Sequence, residues 1–90
     1  MKAVVLYESA DNVAEKAPAH FAAHVAQYQP YIERGELLMI GTFADPQHDG
    51  SMGIFATRDA AEEFVKNDPF VINGVVKGYR ILDWNEAVAK

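Results

Sequence analysis

The order of apolar patterns along the chain predicts an α+β fold of four antiparallel strands and two helices, arranged βαββαβ. Three observations carry that prediction. Short runs rich in β-branched and aromatic residues alternate with two amphipathic segments of helix length, the middle two runs flank a hairpin-length polar connection, and the strand runs are apolar on both faces.

Lys2–Glu8 (KAVVLYE) has the composition of a buried strand. Pro18 through Arg34 reads as the first helix, with Phe21, Val25, Tyr28 and Ile32 forming an apolar stripe and Gly35 placed for a left-handed C-terminal cap. Pro30 predicts a kinked or irregular last turn, because proline removes a helical hydrogen bond. Glu36–Ala44 and Ser51–Thr57 read as strands joined by Asp45–Gly50, which should pair them antiparallel. Thr57 can cap a second helix from Arg58 to about Asn67, with Ala61, Phe64 and Val65 inward and Glu62 and Glu63 outward. Asp68–Gly74 is a short turn, Val76–Trp84 (VKGYRILDW) the last strand, and Asn85–Lys90 a tail. This is the split-βαβ, ferredoxin-like arrangement, an antiparallel sheet with both helices on one face.

The sheet's other face has no helix to cover it. Alternation places Val5 and Tyr7 opposite Val4 and Leu6, and Leu38 and Ile40 opposite Leu37, Met39 and Phe43, so both faces carry large apolar side chains. A bare apolar face of roughly several hundred Å² is unusual on a monomer. The expected partner is a second copy packed sheet to sheet, which also supplies the core that a 90-residue chain without cysteine lacks.

Residues 1–90 read as one domain, with no repeat, linker or low-complexity tract. The absence of cysteine excludes disulfides, thiolate metal sites and cysteine nucleophiles. Eight basic side chains against 13 acidic ones give a net charge of −5, and the cations are scattered, so no nucleic-acid partner is expected. No membrane span or signal peptide is visible, and the expected location is the cytoplasm.

Candidate chemistry is concentrated in few residues. His20 and His24 stand four apart, a spacing that can ligate a metal, but no third ligand accompanies them and neither a metal nor a cofactor is expected. His48, in the hairpin connection, should be solvated. His24 lies at the margin of the helical stripe and should be half buried, where an imidazole serves either as a core-edge packing group or in proton transfer. Asp68 before Pro69 suits a helix N-cap; its alternative role is to orient a histidine, for which Asp45, Asp49 and Asp83 compete equally on spacing.

Taken in order, Ala23-His24-Val25, Gly35-Glu36-Leu37-Leu38 leading to Gly41, Ala60-Ala61-Glu62-Glu63-Phe64, Asp68-Pro69-Phe70 and Gly74-Val75 resemble the YCII-related family across nearly the whole chain. The resemblance implies a dimeric α+β barrel with a pocket between helices and sheet, and His24 with Asp68 as the active-site pair. A branch of that family resembles dehydrochlorinases of chlorinated hydroxyhydroquinones. This chain has His20 and Phe21 where relatives often carry a basic residue, and Thr42 where a proline commonly follows the glycine.

The expected function is a cofactor-independent lyase or isomerase acting on a small cyclic or aromatic metabolite. His24 would move a proton, Asp68 would fix its tautomer, and Tyr7, Tyr28, Ser51 and Phe70 would contact substrate. The alternative is a non-catalytic small-ligand-binding or dimerisation module.

Overall fold

Residues 1–89 are described by a computed structural model; Lys90, at the end of the expected tail, lies outside them. The strands are β1 (Lys2–Ser9), β2 (Leu37–Thr42), β3 (Ser51–Phe55) and β4 (Val76–Trp84). They form one antiparallel sheet in the order β2-β3-β1-β4, the ferredoxin-like order expected. The helices are α1 (Val13–Lys16), α2 (Phe21–Glu33), α3 (Pro46–Asp49), α4 (Arg58–Asn67) and α5 (Pro69–Ile72), with a 3₁₀ turn over Ala17–His20.

The expected helix over Pro18–Arg34 is therefore in pieces. Pro18 falls in the 3₁₀ turn, and regular α-helix begins only at Phe21. Pro30 sits within α2 without ending it, and Gly35 turns left-handed at φ +73° immediately after the Arg34 cap. The polar connection folds as the one-turn helix α3, and Asp68–Gly74 folds as α5, with Asp68 as N-cap and Pro69 in the first turn. Helix α4 has the predicted limits, starts at the Thr57 hydroxyl cap and buries Ala60, Ala61, Phe64 and Val65.

The core lies between the helices and one sheet face. Ala3, Val5 and Tyr7 of β1, Leu37 of β2 and Phe55 of β3 meet Tyr31 of α2 and Phe64 and Val65 of α4. Two readings of sidedness are corrected here. In β2 the register slips between Leu37 and Met39 against β3, a bulge that opposes three residues to two. Leu37 and Ile40 therefore both face the helices, while Leu38 and Met39 are exposed. A strict alternation of side chains cannot anticipate that slip.

Helix α2 is also turned about its axis relative to the expected stripe. Phe21 is 56% exposed and Ile32 is exposed, whereas His24 and Tyr31 are buried. The inward face is centred on His24, Tyr28 and Tyr31, because a buried carboxylate waits opposite His24 and compensates an imidazole that the apolar pattern scores as polar.

On the opposite face Val4, Leu6, Met52, Ile54, Leu82 and Trp84 line a continuous apolar depression, with Met39 beside it at 67% exposure. No helix of the described residues is long and apolar enough to cross a membrane.

Candidate active site

Three elements converge on one carboxylate. Asp68, at the junction of α4 and α5, is fully buried, and its own backbone role explains how it stays there. Its Oδ1 accepts the Phe70 amide of α5 at 3.0 Å, the N-cap bond that proline at the next position favours. The same oxygen lies 2.8 Å from His24 Nδ1 on α2, and Oδ2 accepts the Tyr7 hydroxyl of β1 at 2.7 Å. One side chain thus both caps α5 and contacts His24.

An ionised carboxylate only accepts, so the hydrogen of the short His24–Asp68 contact sits on Nδ1. In the neutral ring Nε2 is then left as the basic atom. The ring is held flat and from the side: Phe70 stacks on it at 4.0 Å between centroids with an 8° interplanar angle, and Tyr28 meets it edge-on at 5.2 Å. At 7% exposure His24 is buried rather than half buried, because these rings and Asp68 enclose it.

A small cavity adjoins the imidazole. Its walls are Val5, Tyr7, Ile40, Ser51, Gly53 and Phe55, together with Met52, Phe64 and His24, and its volume is about 30 Å³. That is room on the scale of one or two water molecules, so a ring-sized ligand requires the half-exposed Ile40, which shares the helix-covered face with Gly53, to move. Gly53 keeps the wall thin: a Cβ there would meet the Phe55 ring at 3.2 Å.

The expected contact residues divide in two. Tyr7 and Ser51 lie on the cavity wall, whereas Tyr28 and Phe70 clamp the imidazole outside it. The competing carboxylates are elsewhere: Asp45 pairs with exposed His48 at 2.8 Å, Asp83 pairs with Arg58, and Asp49 lies in α3. Among the described residues no cluster of three or more His, Cys, Asp or Glu could hold a metal ion.

The Tyr7–Asp68 bond escaped sequence reasoning. Burial, the adjacent Asp68 charge and the hydrogen bond to it push the Tyr7 phenol far above its ordinary range. The contact spans 61 positions, and no local pattern signals it.

The model of the YCII-related domain matches residues 1–85. A solved structure of 5-chloro-2-hydroxyhydroquinone dehydrochlorinase (TftG) from Burkholderia phenoliruptrix AC1100, in complex with 2,5-dihydroxybenzoquinone, superposes with a TM-score of 0.77. It is 21% identical, over 97% of this chain and 96% of that one. Protein Atu4242 from Agrobacterium tumefaciens aligns over 91% of this chain and 90% of its own at 11% identity, with a TM-score of 0.49. No curated protein matches the chain.

Proposed function

Because the chain belongs to the YCII-related domain family, we propose that it is a cofactor-independent enzyme acting on a small cyclic or aromatic metabolite, with His24 and Asp68 as its acid–base pair. The observation that carries this reading is a buried imidazole hydrogen-bonded to a buried carboxylate beside a cavity. Burying such a pair costs stability unless every polar atom is matched, and a purely structural core would be served as well by apolar side chains.

In this reading Nε2 of His24 takes a proton from the substrate. Asp68, bonded to Nδ1, holds the reactive tautomer and balances the imidazolium that forms. The electron pair left on the substrate forms a new π bond and expels a leaving group, as in a dehydrochlorinase-like elimination. Alternatively it is reprotonated at another carbon, giving an isomerisation. Ser51 on the cavity wall supplies a hydroxyl to a substrate oxygen, and the apolar walls favour a planar ring. The likeness to a dehydrochlorinase bound to a dihydroxybenzoquinone supports hydroxylated quinones and hydroquinones as the first compounds to try.

We further infer a homodimer that buries the apolar sheet face, and activity in the cytoplasm. The first rests on Val4, Leu6, Leu82 and Trp84 lining that face, the second on a chain free of cysteine. The deciding experiment measures binding of 2,5-dihydroxybenzoquinone by thermal stabilisation, and turnover of chlorinated hydroxyhydroquinones, in native protein and His24→Ala. Turnover confined to the native protein, with binding kept in both, supports the enzyme. Equal binding without turnover in either assigns a ligand-binding module instead.

A further inference from the structure

We propose that Tyr7 is a positioning residue of the His24–Asp68 pair, acting through Asp68 rather than on the substrate. The inference rests on the acid–base reading of that pair, and it changes the role expected of Tyr7 as a substrate contact.

The argument starts from the demands of a fully buried carboxylate. Asp68 has two oxygens to satisfy with no solvent available, and three donors reach it: the Phe70 amide and His24 Nδ1 on Oδ1, and the Tyr7 hydroxyl on Oδ2. The first is a fixed cap of α5 and the second is the imidazole itself. Among the described residues only Tyr7 engages Oδ2. Its bond draws charge toward Oδ2 and stops the group from rotating Oδ2 onto the imidazole. The strength of the pull on Nδ1–H, and so the basicity presented at Nε2, is set in part from the sheet.

Tyr7 is built to donate and to hold still. Burial keeps its phenol protonated far into the alkaline range, so it does not itself exchange a proton with a substrate near neutrality. It occupies the central strand β1, paired to Ser51 on one side and Tyr79 on the other. The turn before β3 closes on its backbone: Gly50 has φ +71°, and a Cβ there would lie 1.9 Å from the Tyr7 carbonyl oxygen. Tyr7 is thus anchored at the backbone by the hairpin and at the hydroxyl by Asp68.

The test compares native protein, Tyr7→Phe and Tyr7→3-fluorotyrosine, reading the His24 Nδ1–H resonance in protein labelled with ¹⁵N-imidazole. Removing the donor leaves more charge on Oδ1 and moves the resonance downfield. The fluorinated phenol, a stronger donor of nearly the same shape, moves it upfield. A resonance that stays in place in every folded variant, or moves the same way in both, overturns the proposal. If Tyr7→Phe does not fold, the native and fluorinated proteins decide alone. No substrate enters this experiment, so it stands or falls separately from the enzymatic reading. Where turnover is found, Tyr7→Phe lowers kcat with KM unchanged, because the carboxylate is then free to rotate away from the orientation that holds His24.

Discussion

Replacing Asp68 by asparagine removes one charge while keeping the shape of the side chain, so its consequences can be worked from the three bonds that Asp68 accepts. The amide has one acceptor and one donor end where the carboxylate had two acceptors. Its oxygen must serve the Phe70 amide, which cannot move, and it can also keep His24 Nδ1. The NH₂ end then faces the Tyr7 oxygen, and the Tyr7 hydroxyl hydrogen, buried, loses its partner. An unsatisfied buried donor costs about 1–3 kcal/mol, so Asp68→Asn should fold and unfold at lower urea by that amount. The electrostatic loss is separate. A bond from the imidazolium to a charged acceptor is worth about 1.5–3 kcal/mol, which is roughly a ten- to hundredfold loss of any reaction that places a proton on His24. Urea unfolding and ¹⁵N-imidazole NMR read the two effects independently. Native-like stability, with the His24 Nδ1–H resonance unshifted, would refute the reasoning, because it would mean that neither Tyr7 nor His24 depends on the carboxylate.

Four further outcomes follow from the same geometry. If the proposed dimer forms, Met39→Lys on the open face should lower its sedimentation mass from about 20 kDa, twice the chain mass, to the 10.0 kDa monomer while helix content persists. Ile40→Lys, which places a charge against the core, should instead destabilise the fold by about 3 kcal/mol or more in urea, and a reversed pattern would invert the assigned faces. Stability should fall as pH rises above about 10: the unfolded chain gives up its tyrosine protons there, while folded Tyr7, held high by burial, keeps its own. The contribution is fully present below that pH, and a urea-midpoint series from pH 8 to 11 should be shallower in Tyr7→Phe, the remaining slope coming from Tyr31, which burial and Glu63 also raise. Gly50→Ala should cost about 3 kcal/mol or more, because its left-handed backbone and its closeness to the Tyr7 carbonyl both exclude a methyl group; a thermal or urea midpoint near the native value would contradict the close approach.

Most of the architecture was legible because it is written in local patterns. Thr57 before a helical period, Asp68-Pro69 and the glycines at 35 and 74 mark ends by backbone chemistry that needs no distant partner. The limits of α4 and β4 agree with expectation for that reason. The turn of α2 was not legible, because periodicity counted Phe21 and Ile32 as inward and could give no credit to a histidine whose partner lies 44 positions away. The bulge in β2 was hidden likewise, since it comes from register against β3.

For the candidate site the division is sharper. The sequence by itself determined that His24 stands on a helix, that Asp68-Pro69 makes a turn or cap after the second helix, and that the strands are apolar on both faces, all consequences of neighbours within a few residues. Only the tertiary structure decided which carboxylate meets the histidine, and that Tyr7 on the central strand completes it. The physical reason is that a buried charge is tolerated only where donors converge, and convergence is a property of how sheet and helices pack.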